Sequence, residues 1–350
     1  MKLRLTELLT IGTIVAAVPS LAQTYTLQDL GTLPGSTVSQ GYALNELGQA
    51  CGTSGSLATA TLFSDGQAFD LGGFVSGDVT VATGINPSTV VVGWERLATI
   101  ATSHALIWSS GGIQDIHSPA LFPSGTEAMA INSSGVVIGQ GWLNNDSFHV
   151  FLYENSQMVD IGPPGSYQAI PAAINDAGEI IGNYYTSSTD NGYFLYSNGR
   201  FTKLAAGPPG TTVRANAINN NGVIVGAISY NTNSTVSRAA LYSNGVWMDL
   251  GTLPGATTGT AAVGINTAGQ IIAVAGYRVT SYHPFIPAKT VACIIQNGVV
   301  VNLNTLIPTN SGFNLSRAIA INGAGQILCN TKTQNGVTVS NEHAVLLTPK

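Results

Sequence analysis

Charge is what this chain has least of. Asp, Glu, Lys and Arg make up 8% of its 350 residues, with 12 Lys and Arg against 17 Asp and Glu and a formal net charge of −5. So few basic residues leave no patch to hold a phosphate backbone, which argues against nucleic acid as a partner. Long apolar runs are missing too. Beyond the N-terminus no uninterrupted stretch reaches spanning length, and the C-terminus carries no hydrophobic sorting tail. The three cysteines, Cys51, Cys293 and Cys329, lack metal-ligand spacing, and no motif implies a cofactor. No catalytic motif stands out either. What remains is a chain with 44% apolar residues and 41 glycines, too apolar for disorder and suited to a rigid, turn-rich β protein.

The N-terminus reads as a secretory signal peptide. Lys2 and Arg4 precede a charge-free apolar run from Leu8 to Pro19, and Ser20-Leu21-Ala22 offers small residues for cleavage. The expected division is a signal peptide over 1–22 and a single repeat domain over 23–350, secreted to the extracellular space or periplasm, with no membrane span in the mature chain. Removing 1–22 takes away Lys2, Arg4 and Glu7 and makes the net charge one unit more negative.

The mature chain is dominated by a repeat. An apolar residue followed by Asn recurs seven times, at Asn45, Asn86, Asn132, Asn175, Asn219, Asn266 and Asn322. Self-similarity at this period means a repeat architecture. Small residues stand two and four positions before each Asn, such as Ala130 and Ala128, which predicts a strand where neighbouring sheets crowd together. Six repeats place Gly three residues after the Asn, the signature of a type I turn; Asn86-Pro87-Ser88-Thr89 is the exception. Paired apolar residues then follow, as in Val137-Ile138 and Ile180-Ile181. Adjacent apolar residues point to opposite faces, so this second strand is buried on both sides. Third and fourth strands complete each unit. The fourth runs into Asp-Leu-Gly or a variant of it after repeats one to six. Repeat seven has none, and the missing copy stands at the other end, as Tyr25–Gln28 running into Asp29-Leu30-Gly31. The predicted fold is therefore all-β: a seven-bladed β-propeller closed by the N-terminal strand of the mature chain, which hides two sheet edges at once.

Cys51 and Cys329 fall in corresponding strands of the first and last repeats. A bridge between them is conceivable if the ring closes. Facing sheets lie about 10 Å apart, however, and a disulfide needs Cβ atoms about 3.8 Å apart. Buried thiols acting as small hydrophobes are the better reading.

The motifs His104-Ala105-Leu106, His343-Ala344-Val345, Asp249-Leu250-Gly251-Thr252-Leu253 and Ala318-Ile319-Ala320-Ile321-Asn322 resemble the HAF-repeat family of extracellular repeat proteins, over essentially all of the mature chain. The resemblance implies a secreted repeat protein. It carries over no catalytic residues, because that family is defined by its repeat.

Function is expected on loops. Turns after strands one and three are short and share one face, whereas the connections after strands two and four vary in length and share the other. Trp94, Trp142, Tyr184, Tyr185, Tyr230 and Tyr277 leave the second strands toward that variable face, where aromatic rings could stack on a glycan or another apolar ligand surface. The competing reading makes them caps on the core. A second candidate is the channel mouth, where Gln40, Glu127, Arg214 and Arg317 stand five residues before their Asn and could meet a small polar or anionic ligand, or simply pair with one another. His104, His149 and His343 share one repeat slot, which favours packing or a turn hydrogen bond over metal binding. Asp78, Glu95, Asp146 and Asp190 are the sparse carboxylates of the variable face, and a glycosidase would need two of them paired. The reading that results is a secreted, non-enzymatic binding or surface-interaction module for a glycan or cell-surface ligand. The alternatives are a polysaccharide hydrolase or lyase on the same scaffold and a structural matrix component. Oligomeric state is open.

Overall fold

The computed structural model describes residues 23–75, 77–99, 102–143, 147–186, 190–230, 236–276, 290–332 and 342–350. The expected signal peptide, Tyr277 and Asp146 lie outside them. Strands dominate; a single 3-10 turn, Leu303–Thr305, accompanies them, and the described residues contain no α-helix.

Six antiparallel sheets form. Five have four strands; the sixth has eight and consists of two four-strand meanders, 126–160 and 168–203, touching through one parallel pair, Phe148 and Gln168. The other meanders cover 39–70, 79–115, 211–251, 260–302 and 314–349. In the first, the strands are Ser39–Leu44, Ala50–Ser54, Thr59–Ser64 and Gln67–Asp70, paired in sequence order. The last meander draws its fourth strand from the other end of the chain. Tyr25–Asp29 runs antiparallel to Ala344–Pro349, from Tyr25 opposite Pro349 to Asp29 opposite Val345.

The paired apolar residues of the second strands behave as their adjacency requires. Val91 packs with Cys51, Ala82 and Leu106 toward the preceding unit, while Val92 packs with Phe122, Ala128 and Phe151 toward the next. Val137 joins that second cluster, and Ile138 joins a third with Ile180 and Phe194. The pattern continues through Ile327, in one cluster, and Leu328, which meets Ala50, Phe63 and Leu30 of the first unit in another. The core is thus a series of apolar layers between consecutive sheets, and one such layer joins last sheet to first. Burying both side chains of each pair contributes about 1.5–3 kcal/mol per residue. The three cysteines are buried free thiols in these layers, and burial pushes their pKa values up, that of Cys293 to about 12.

The Asn turns repeat one geometry. In each, the Asn N–H donates to the carbonyl four residues on, and its own carbonyl accepts from the third residue after it, as in Asn219 to Val223 and Gly222 to Asn219, both at 3.0 Å. The side chain Oδ1 caps the same turn, accepting the N–H of Val223 at 3.0 Å. Glycine at the third position adopts positive φ, +77° at Gly178. The exceptional turn uses Thr89 at φ 60°, a strained choice for a β-branched residue.

Every first strand also carries a bulge between the fourth and second residues before its Asn. Opposite it, five second strands have glycine seven residues after the Asn. A Cβ on Gly93 would stand 1.9 Å from the Val81 carbonyl oxygen, and one on Gly226 would stand 1.8 Å from that of Arg214. Those backbones approach too closely for any side chain between them.

Candidate functional site

The two ends of the sheets differ in chemistry. At the Asn-turn end the polar groups are consumed by the fold. Asn45, Asn132, Asn175, Asn219, Asn266 and Asn322 each donate from Nδ2 to the backbone carbonyl of an Asn in the next unit, at 2.9–3.2 Å, and Asn322 hands back to Asn45. These side chains surround a polar cavity of about 210 Å³, rimmed by Glu46, Ser133, Asp176, Asn220 and Thr267. The rim is also satisfied: Glu46 accepts the Gly323 N–H at 2.9 Å, and Asp176 accepts from Ser133 N–H and Asn220 Nδ2.

The opposite end collects apolar surface. Leu57, Phe74, Val75, Leu121, Tyr167, Tyr185, Tyr230 and Val236, all in or beside connections after second and fourth strands, are exposed, Phe74 to 54% and Tyr167 to 45%. At the Asn-turn end Leu47, Val246 and Val299 are comparably open, but no aromatic side chain is among them. The described connections range from residues 55–58 to 303–313. Exposed apolar side chains gathered on one face mark an interaction surface more often than they serve the fold.

The residues singled out from sequence scatter over this end. Trp94 and Trp142 lie within strands, half-buried, and at different repeat positions, eight and ten residues after their Asn. Tyr184 is core: it is 5% exposed, packs with Ile138 and Phe194, and sends its hydroxyl to Asp190 at 3.3 Å. Tyr185 and Tyr230 are exposed, and Tyr230 donates to Asp249 at 3.0 Å. The channel-mouth residues each have different neighbours. Gln40 bonds Glu342 and accepts from Tyr42. Glu127 accepts from Gln140 at 3.3 Å; burial raises its pKa against the opposing influence of Ser103, Gln140 and Arg96. Arg214 stands in the strand Thr211–Ile218, opposite Ala227. Arg317 stands in the last first strand, Asn314–Ile321, opposite Asn330. Of the carboxylates, Glu95 is fully buried, with both oxygens on backbone N–H groups of Phe74 and Val75 at 3.0 Å, so it anchors a loop. Asp190 is held by Lys203 at 2.8 Å.

The repeated histidines are explained by the repeated aspartates. His104, His149 and His343 each meet an Asp of the neighbouring fourth strand, Asp115, Asp160 and Asp29, at 2.7–2.9 Å; Arg238 meets Asp249 in the same way. The other carboxylate oxygen accepts a backbone N–H two residues on, from Gly31, His117, Gly162 or Gly251. The His-Ala and Asp-Leu-Gly motifs are therefore two halves of one strand clamp, and no group of metal-ligating side chains occurs among the described residues. This clamp makes stability depend on pH. The hydrogen bond that His149 donates to Asp160 raises the His149 pKa against burial. Burial pushes Asp160 up, but His149 and the Gly162 N–H outweigh it and hold the carboxyl below its usual value. A raised histidine stabilises fully below its unfolded pKa and stops doing so as pH climbs through the folded value; a lowered aspartate stabilises above its unfolded pKa and loses this on acidification. The pair contributes most between about pH 4 and 6.5. Asp160→Asn should therefore lower the urea midpoint more at about pH 5 than at about pH 9. Equal losses at the two pH values would show that the clamp carries no charge.

Sequence reasoning passed over a further set, the residue six positions before the Asn. Thr80, Thr126 and Ser39 are buried hydroxyls that accept the backbone N–H of Ala60, Ala105 and Ala344 in the preceding unit, at 2.8–3.1 Å. A buried Ser or Thr at one recurring slot was the available signal. These latches fix neighbouring sheets and so set the spacing of the loops above them.

No protein-family model and no curated protein matches the chain. Solved structures do. Oligogalacturonate lyase from Vibrio parahaemolyticus aligns over 92% of this chain and 93% of its own, with a TM-score of 0.58 at 10% identity. YCF48 bound to a D1 peptide aligns over 95% and 97%, with a TM-score of 0.53 at 12% identity. A prolyl endopeptidase aligns over 87% of this chain and 48% of its own, with a TM-score of 0.54 at 8% identity. Identities this low define fold and nothing more. The chain has a propeller-like all-β fold.

Proposed function

We propose that this chain is a secreted seven-bladed β-propeller of HAF-like repeats, closed into a ring by Tyr25–Asp29, that works as a non-enzymatic binding module. Its ligand, a glycan or another cell-surface group, docks on the long-loop end. The observation that carries the reading is the asymmetry of the two ends: one is locked by repeated hydrogen bonds, while the other gathers Phe74, Tyr167, Tyr185 and Tyr230 on connections of unequal length. Ring closure is supported by the apolar layer of Leu30, Phe63, Leu328 and Leu346 between last and first units, and by Asn322 returning to Asn45. Among the scaffold's structural relatives, YCF48 holds a peptide and the Vibrio protein is a lyase. The lyase or hydrolase alternative is weakened because Glu95 and Asp190, two of the carboxylates at this end, are engaged by loop N–H groups and by Lys203.

A glycan array probed with protein starting at Gln23, with reducing-sugar release followed in parallel, tests this reading. Binding without release is expected. Release abolished by a single carboxylate substitution would replace the binding module with an enzyme.

A further inference from the structure

We infer that the cavity at the Asn-turn end is a second binding site, for a small neutral polyol or free sugar, seated between the Asn86 side-chain amide and the Asn132 carbonyl. It lies at the opposite end from the proposed docking surface and does not depend on that reading.

Seven repeats could form seven side-chain bonds from one Asn to the next, and six do. The step from Asn86 to Asn132 is the exception. Asn86 Oδ1 accepts the N–H groups of Ser88 and Val90, both at 3.0 Å, but its Nδ2 meets no acceptor among the described residues. Asn132 is the counterpart. Its carbonyl accepts the Gly135 N–H at 3.1 Å, and the second lone pair, which in every other turn takes an Asn amide, is unclaimed.

The gap is not slack between the units. Thr83 Oγ1 donates to the Ala128 carbonyl at 2.8 Å, and a Cβ on Gly84 would stand 3.1 Å from the Ala130 Cα, so these two first strands are in close contact. Nor can the turn itself take up the amide. Four residues after the Asn, where Gln49, Glu179, Gln270 and Gln326 accept it in other turns, stands Val90. Asn86 is 4% exposed, and a buried amide without an acceptor is costly. This one is not sealed off. Asn86 lines the cavity of about 210 Å³ to which residues of all seven repeats contribute.

The lining selects the ligand. It holds Glu46 and Asp176 and no Lys or Arg, which opposes an anion. An ammonium has no atom to accept from Nδ2. A hydroxyl serves both sides of the gap: its oxygen accepts from Asn86 Nδ2 and its proton goes to the Asn132 carbonyl. Further hydroxyls can donate to Glu46 and Asp176, whose oxygens keep lone pairs beyond the bonds from Gly323, Ser133 and Asn220. Ile85 and Ile131 also line the cavity and suit the C–H surface of a polyol. A volume of about 210 Å³ falls below the roughly 300 Å³ of common ligand pockets, so one small molecule fits and an oligosaccharide does not.

Ligand-observed NMR titration of protein starting at Gln23 tests the site, with glycerol, myo-inositol and glucose as probes and glucuronate as the anionic counterpart of glucose. At least one neutral probe should bind, at the millimolar affinity expected of so small a ligand, and glucuronate should bind more weakly than glucose. Asn86→Asp keeps the turn caps and removes the amide. It should weaken the bound probe about fivefold or more and leave the melting temperature unchanged, because the Asn86 side chain joins no neighbouring unit. If it melts early, Thr267→Trp decides instead: it fills the exposed rim and should abolish binding. Phe74→Ala, at the opposite end, should leave the probe's affinity as it was. Silence of all three neutral probes, equal affinity in Asn86→Asp or Thr267→Trp, tighter binding of glucuronate, or loss in Phe74→Ala overturns the site. The two readings fail separately: array silence leaves this site intact, and array binding that survives Asn86→Asp upholds the long-loop surface whichever way the titrations fall.

Discussion

Protein lacking Tyr25–Gly31 should not form a stable native state. The deletion removes the fourth strand of the last sheet, including Tyr25, which is fully buried, and Leu30, which is 2% exposed. Each such side chain is worth about 1.5–3 kcal/mol in transfer alone, and more with the cavity left behind. The loss also uncovers Val345, Leu346 and Leu347 on the partner strand, and leaves the Leu306 and Ala344 carbonyls without the N–H groups of Tyr25 and Leu30 that they now accept. The sum exceeds about 5 kcal/mol, which is comparable with the whole stability of many domains. Soluble yield should fall, and any folded fraction should melt at least 10 °C or so lower. An exposed edge beside apolar side chains should drive aggregation. The control is Asp29→Asn, which removes only the ion pair with His343, an exposed contact worth at most about 1 kcal/mol. Deleted protein that melts with the intact mature chain would show that the strand does not close the last unit.

The strand order and the two-sided burial of the second strands could be read from the sequence because each rests on residues close together along the chain. Val91-Val92 needs no distant partner to announce two buried faces, and Asn132 with Gly135 defines its turn locally. The joints between units could not be read in this way. Thr80 meets Ala60 twenty residues back, but Ser39 meets Ala344 from the far end of the chain, so no fixed spacing betrays the latch. The glycines opposite the bulges, Gly52, Gly93 and Gly226 among them, became intelligible only once the facing carbonyls were located. The candidate site was less legible still. Tyr184 and Tyr185 are neighbours in sequence, yet one is core and the other solvent-facing, because alternation along a strand decides the matter and loop aromatics have no period. Phe74 and Tyr167, among the most exposed aromatics of the long-loop end, sit in connections that follow no pattern. The histidine slot was readable as structural, but its aspartate partner was not, since the two stand on different strands.

Asn219 offers the sharpest test of how the units are joined. Its side chain is 4% exposed; Oδ1 accepts the N–H groups of Asn221 and Val223, and Nδ2 donates to the Asn266 carbonyl of the next unit, each at 3.0 Å. Asn219→Ala strips two caps from the turn and leaves a buried carbonyl without its donor, at a cost of about 2–4 kcal/mol. Asn219→Asp keeps the caps, so a turn-only role predicts almost no loss. The joint predicts otherwise. A carboxylate oxygen would face the Asn266 oxygen in a buried place, which disfavours the charged form and raises the new aspartate's pKa. A raised carboxyl pKa costs stability as pH climbs above the unfolded value near 3.9, and the cost vanishes when the group is protonated and can donate again. Relative to wild type at the same pH, the Asp variant should therefore be destabilised at about pH 7 by at least as much as the Ala variant, and should recover most of the difference near pH 4. The Ala variant, with nothing to titrate, should show the same deficit at both. Urea midpoints of the three proteins at the two pH values decide it. An Asp variant as stable as wild type at neutral pH would mean that the Asn side chains cap their own turns and do nothing to hold one unit to the next.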